Sequence, residues 1–164
     1  LEELVSGLQA GAKRGGLFLA GVVMAAAIAL HNLPEGMVIG ASYAADLAEA
    51  GQDGRMMALV IGLHNIPEGM AVAVPLAAGG ASRGRAVLTT AAAGAPTVLG
   101  AVLGFCLGTM GPGLQMLTLG GASGAMLYVV FGELLPESFR LCRSPAPVMA
   151  AVLGVLTGMG VVLG

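Results

Sequence analysis

Charge is what this sequence has least of. Of 164 residues, seven are Lys or Arg and nine are Asp or Glu, 10% charged in all, against about 25% in an ordinary soluble domain. No Asp, Glu, Lys or Arg falls between Arg14 and Glu35, or between Arg85 and Glu133. The formal net charge of −2 gives no electrostatic case for nucleic acid. Aromatic residues are scarce as well. With no Trp and two Tyr, there is no belt of interfacial rings to mark a bilayer boundary. Cys106 lies in an apolar run and Cys142 in a basic loop, which excludes a disulfide framework. The opening LEELVSGLQAGAKRGG lacks the basic-then-apolar layout and small-residue cleavage site of a signal peptide. Polar and Gly-rich, it reads as a loop.

What is present is apolar. The chain is 57% hydrophobic with a mean hydropathy of +0.91. A helix needs roughly 20 apolar residues to cross a bilayer core, and the uncharged runs supply them. The fold class is therefore an all-α integral membrane protein. Charges and turn residues mark five transmembrane helices, at about 17–45, 56–78, 86–110, 113–138 and 147–163. The uncharged stretch 86–132 is too long for one span, and the GPG at Gly111–Gly113 divides it. Short loops join the helices, so residues 1–164 read as a single transmembrane domain.

Basic residues give an orientation. If the helices alternate, Lys13, Arg14, Arg83, Arg85, Arg140 and Arg143 share one side, and only Arg55 faces the other. Cytoplasmic loops collect Lys and Arg. The N-terminal end of the chain is thus expected in the cytoplasm and the C-terminus outside a cell (inner) membrane. An error of one helix would scramble that six-to-one split.

Both histidines of the chain sit in one repeated phrase, HNLPEGM from His31 and HNIPEGM from His64. The first lies near the centre of the first span and the second near the centre of the second. Consecutive spans run in opposite directions, so the copies meet antiparallel at mid-membrane. Such an inverted repeat places a site at the midplane between its halves. Within each copy His and Glu are four apart, which puts them on one helix face with Asn beside them. Pro34 and Pro67 lack an N–H and crowd the carbonyls of Leu30 and Leu63, a defect accepted at membrane depth only in protein or beside a wet cavity. Gly36 and Gly69 permit close backbone approach.

Two imidazoles, two Asn oxygens and two carboxylates therefore converge: His31, Asn32, Glu35, His64, Asn65 and Glu68. Imidazole with oxygen donors suits Zn²⁺ and other divalent first-row metals, and the absence of cysteine argues against Cu(I). The competing interpretation is structural: two protonated Glu paired with Asn across a helix interface. Ionisable residues inside a membrane usually mark an ion or proton path, which favours the metal.

HNLPEG and HNIPEG resemble the paired metal-site motifs on the fourth and fifth helices of the ZIP metal transporters, nearest their prokaryotic branch, and FGELLPES resembles the family's seventh-helix motif. The resemblance covers the whole chain, as the last five of the family's eight helices. It implies a larger transporter whose first three helices are absent here, and a binuclear metal site formed by the six residues named above. It also implies uptake of divalent metal into the cytoplasm, and an external C-terminus in agreement with the charge count. Zinc is the expected cargo, with Fe²⁺, Mn²⁺, Cd²⁺ and Co²⁺ as alternatives, and no resident cofactor is expected. Metal ions and the bilayer are the expected partners, and a homodimer is left open.

One departure stands out. Many members carry a Glu on the sixth helix before a Leu-Gly pair, where this chain has GAPTVLGA. Thr97 or Ala95 takes that place, and no acid occurs from Ala86 to Met110. The second metal position should then be weak or empty. Glu133 and Glu137, four apart, are candidates for a cytoplasmic exit path, as the resemblance suggests, although Glu137 also suits pairing with Arg140. Gly100, Gly104 and Gly108, and likewise Gly120 and Gly124, form small-residue stripes suited to helix packing. Met24, Met37 and Met70 read as core filling, and Asp46, Glu49 and Asp53 as a solvated acidic loop. Two other function classes remain. An intramembrane metalloenzyme would need a metal with an open position and a general base, and the zincin pattern HExxH is absent; the other class is a non-transporting scaffold or fragment. The chain is read as a transporter, not an enzyme.

Overall fold

The computed structural model describes residues 2–49 and 51–163; the side chains of residues 2–10, 48, 49, 133, 134, 137, 141 and 161–163 lie outside that description. The elements in order are α1 (Glu2–Glu49), α2 (Asp53–Ala78), α3 (Arg83–Thr109), α4 (Pro112–Tyr128), a π-helical segment (Val129–Leu134), α5 (Leu135–Leu141) and α6 (Ala146–Leu163). No strand occurs among the described residues. Among the described residues, four helical stretches are long and apolar enough to cross a membrane: Gly11–Leu47, Asp53–Ala78, Arg83–Thr109 and Pro112–Gly132. A shorter apolar helix covers Ala146–Gly160. The protein is all-α and membrane-embedded. Its backbone forms two compact units, residues 1–123 and 124–164.

The expected opening loop is replaced by helix. From Glu2 onward the chain is α1, which runs unbroken through Pro34 to Glu49. Its first turns hold Glu, Leu, Gln, Ala and Lys, good helix formers, while each interspersed glycine costs only about 1 kcal/mol relative to Ala. No proline interrupts them, so composition that looked loop-like is still helical.

The links between the first three helices are built with caps. Asp46, near the end of α1, accepts hydrogen bonds from the backbone N–H of Asp53 and of Gly54, both at 2.9 Å. A carboxylate thereby closes the first turn of α2, where orphan donors and the helix dipole favour negative charge. At the other end of α2, Gly80 adopts φ +92°. The Gly80 N–H reaches the Ala77 carbonyl and the Ala81 N–H the Leu76 carbonyl, which is the Schellman arrangement that needs a left-handed residue. Ala81 packs on the cluster containing Leu76, completing that motif.

Packing in the first unit centres on α1, which lies most extensively on α3 and then on α2. Ala25, Val72, Leu76, Ala86 and Ala93 form its buried cluster, with Phe18 and Ile28 beside them. Between α1 and α3 the backbones mesh. A Cβ on Gly36 would strike the Thr97 carbonyl, one on Gly40 the Ala101 carbonyl, one on Gly100 the Leu33 carbonyl and one on Gly104 the Met37 carbonyl. A Cβ on Gly108 would lie 2.6 Å from the Ala44 Cβ. Apolar lipid gives helices no hydrophobic reason to associate, so this close van der Waals fit holds the pair. The expected stripe on α3 is thus an interface, whereas a Cβ on Gly120 or Gly124 of α4 would meet nothing within 4 Å among the described residues.

The second unit departs from the single helix expected over 113–138. After Tyr128 the backbone widens into the π segment, and the Leu135 N–H reaches back to the Val130 carbonyl. Pro136 explains the change, because it offers no N–H and crowds the preceding turn. A one-turn π insertion accommodates such a defect without ending the helix.

Candidate metal centre

The site rests on the antiparallel pair α1 and α2. A link of only residues 50–52 joins them, which forces neighbouring helices to run in opposite directions. His31 lies midway along the Gly11–Leu47 stretch, and His64 to Glu68 lie midway along Asp53–Ala78. The i,i+4 spacing puts His and Glu of each copy on the face that looks at the other helix.

The four side chains meet at one point. His31 Nε2 is 3.2 Å from Glu35 Oε1 and 3.5 Å from Glu68 Oε1. His64 Nε2 is 3.4 Å from Glu35 Oε1 and 3.3 Å from Glu68 Oε1. All four atoms lie within 4.8 Å of one another. A zinc-sized ion with ligands at about 2.0–2.1 Å needs tetrahedral edges of about 3.3–3.4 Å. The four His–Glu separations match that edge. The imidazole rings are edge-on rather than stacked, with centroids 6.4 Å apart and planes at 65°, so the two histidines converge through their Nε2 atoms.

Burial sharpens the chemistry. Glu35 is fully buried, and its Oε1 has no hydrogen-bond partner despite two imidazole nitrogens nearby. An ionised carboxylate without a compensating group is very costly in such a place, and two facing carboxylates compound the cost. A divalent cation at the shared point supplies the missing charge. The α1 half of the site is the more enclosed: the His31 side chain is 12% exposed and that of His64 50%.

The asparagines are placed differently from the four. Asn32 is buried, and its Nδ2 donates to the Ala93 carbonyl of α3 at 2.9 Å. Its Oδ1 is buried without a hydrogen-bond partner. The Asn65 side-chain amide lies 3.0 Å from Glu35 Oε2 and 3.1 Å from Glu68 Oε2; with its nitrogen turned to them it donates to both, and with its oxygen turned to them three acceptors converge as around a cation. Beside these groups is a cavity of about 90 Å³, lined by Asn32, Asn65 and Glu68 and, from α3, by Thr90, Ala93 and Gly94. None of the α3 residues is acidic. Ala95 is exposed, while the Thr97 hydroxyl is buried without a partner and the Thr97 backbone packs on Gly36.

The remaining sequence-level candidates stand apart. Glu133 falls in the π segment and Glu137 in α5, but their side chains lie outside the described residues. Asp46 serves as the α2 cap rather than as a free acidic group. Cys106 and Cys142 are free and exposed. What sequence alone does not reveal is the Ala93 carbonyl, which anchors Asn32. No residue type marks a backbone acceptor, and its partner is 61 positions away.

The ZIP zinc transporter family model matches residues 6–164. Zinc transporter GufA of Myxococcus xanthus is 40% identical over 114 residues, which cover 70% of this chain and 44% of that protein. The chain therefore spans less than half the length of that relative. No solved structure matches it.

Proposed function

The chain belongs to the ZIP zinc transporter family, and from that premise we propose that it carries divalent transition-metal cations, zinc foremost, across a cell membrane into the cytoplasm. The observation that carries this reading is the ring of four donor atoms contributed by the two copies of one phrase at the centre of two antiparallel helices. His31, Glu35, His64 and Glu68 bind the ion, and the Asn32 carbonyl oxygen is a further oxygen donor beside them. Two carboxylates neutralise a divalent ion, so the loaded site is uncharged, and weak neutral ligands keep it from trapping its cargo. Two histidines beside two carboxylates suit zinc, and the relative's name agrees. Fe²⁺, Mn²⁺, Cd²⁺ and Co²⁺ are alternative cargoes for the same donors.

Direction follows from charge. If the spans alternate, six of the seven basic residues share one side, which supports a cytoplasmic N-terminal end of the chain and an external C-terminus. Glu133 and Glu137 then lie towards the cytoplasmic end of their span, as an exit path requires.

Zinc flux into proteoliposomes containing the purified protein tests the proposal. The unsubstituted protein should move metal, and Glu35→Ala or Glu68→Ala should abolish flux while the protein still inserts and folds. Flux near the unsubstituted level in either variant would sink the shared site. A metalloenzyme would bind metal and turn over a substrate without flux, and a scaffold would do neither.

A further inference from the structure

We propose that Lys13, Arg14, Arg83 and Arg85 form a binding surface for the headgroups of anionic phospholipids. The inference goes beyond metal transport and depends on neither the cargo nor its direction. All four side chains are exposed. No Asp or Glu falls between Arg14 and Glu35 or between Glu68 and Glu133. Among the described residues none of the four basic groups has an ion-pair partner. The opposite end of α1 and α2 differs: there Arg55 stands with Asp46 and Asp53, and Asp46 caps α2.

The fold brings the two basic pairs to one end of the first unit. A Cβ on Gly79 would strike the Phe18 backbone, and Phe18 and Ala81 pack on the same buried cluster. The turn between α2 and α3 is thereby held against α1 at Phe18. Arg14 is four residues before Phe18 and shares its face of α1, with Lys13 beside it. Arg83 and Arg85 follow the turn directly, and the Ser82 hydroxyl accepts from the Arg85 N–H at 3.4 Å. A cation is unfavourable beside the positive end of a helix dipole, so helix stability does not account for two arginines in that first turn.

Depth selects the partner. The helices α1 and α3 run side by side in one direction, with Gly36 against Thr97, Gly40 against Ala101 and Gly108 against Ala44. Arg83 and Arg85 are consequently level with α1 about ten to twelve residues before His31, which is about 15–18 Å along the axis at 1.5 Å per residue. By the same measure Lys13 and Arg14 are about 25–27 Å from His31. Half the hydrocarbon thickness is about 15 Å, and the headgroups extend to about 20–22 Å. With the metal centre at the midplane, Arg83 and Arg85 stand at the inner edge of the headgroup layer and Lys13 and Arg14 just beyond its outer edge. Helical side chains lean towards the start of their helix, which turns both arginines of α3 outward into that layer. Guanidinium forks and an ammonium match phosphate oxygens. An acidic polypeptide or a nucleic acid would have to part the headgroups to reach Arg83 and Arg85, whereas a phospholipid carries its phosphate there.

Lipid retention by the purified full chain tests this. The protein in neutral detergent is titrated with dioleoyl phosphatidylglycerol or with dioleoyl phosphatidylcholine, which share their acyl chains, and bound lipid is counted by native mass spectrometry. Phosphatidylglycerol should bind the more tightly. Arg83→Gln combined with Arg85→Gln should lower its affinity about 25-fold, at about fivefold per charge, and leave phosphatidylcholine unchanged. Arg83→Lys combined with Arg85→Lys should keep the preference, and so should Arg55→Gln at the acidic end. Equal retention of the two lipids, a preference unchanged in the glutamine pair, one lost in the lysine pair, or an equal loss in Arg55→Gln would each overturn the proposal. Displacement of the lipid by millimolar inorganic phosphate would also overturn it, since the surface would then be a site for the free anion.

Discussion

Replacing Glu35 by glutamine should weaken metal binding more than any other single change at the centre. Glutamine keeps the volume and one carbonyl oxygen, so the perturbation is close to a pure loss of charge. Glu35 is completely buried, with imidazole nitrogens at 3.2 and 3.4 Å and the Asn65 amide at 3.0 Å. Unit charges 4 Å apart interact by about 4 kcal/mol at an effective dielectric constant near 20, and a divalent ion in direct contact is held by more. Part of that loss returns, because the carboxylate no longer has to be desolvated. Breaking a buried ion pair by removing one partner costs about 3–5 kcal/mol net. At 1.4 kcal/mol per tenfold, Kd should rise by about two to three and a half orders of magnitude. The Glu68 side chain is 17% exposed and that of His64 50%, so water screens both more effectively. The expected order is Glu35→Gln, then Glu68→Gln, then His64→Ala, the last about tenfold. His31→Ala should also be milder than either carboxylate change and shift preference away from ions that favour nitrogen. Competition with a zinc-binding chromophore at fixed ionic strength, with helix content checked by circular dichroism, gives the Kd values. A Kd for Glu35→Gln within threefold of the unsubstituted protein, or a reversed order, would refute the reasoning.

Three further outcomes are expected. In a background with Cys106 and Cys142 replaced, new cysteines at 79–82, between α2 and α3, should react only with membrane-permeant reagents and ones at 51–52, between α1 and α2, with impermeant reagent added outside; the reverse pattern would overturn the proposed orientation. Gly104→Ala, which drives a methyl group into the Met37 carbonyl, should destabilise the protein by about 1–3 kcal/mol and weaken metal binding, whereas Gly120→Ala should be silent in both; equal thermal stability of the two variants would exclude the meshed interface. Asp46→Ala removes the α2 cap and should cost about 1 kcal/mol of stability with zinc affinity unchanged; a loss of affinity at full stability would instead make Asp46 a cation-gathering group.

Much of the centre was legible because helix spacing is a rule of geometry. His and Glu four apart must share a face, and two copies on consecutive spans must meet antiparallel. The glycine stripe of α3 was equally visible, but not the carbonyls of α1 that it receives, since backbone acceptors carry no letter. The opening of α1 does not read as helix because its glycines and charges are turn signals that outweigh the helix formers between them. Pro136 was visible, and its outcome was not: a proline defect can end a helix, kink it or widen a turn, and neighbouring hydrogen bonds decide. Asn65 reads as a ligand from its place beside His and Glu, and its amide lies beside the Oε2 atoms of both carboxylates.

Gly36 and Gly69 occupy the same place in the two copies, yet their surroundings differ. The first is jammed against the backbone of α3, while among the described residues a Cβ at the second would meet only the Thr90 Cγ2, at an ordinary 3.4 Å. Tolerance to mutation is therefore unequal across a repeat that is spelled almost identically. A saturation screen would find position 36 closed to every side chain and position 69 open at least to alanine. The second copy keeps a letter whose steric reason applies to the first alone, which leaves position 69 as the place to mount a small probe beside the ion without parting the helices.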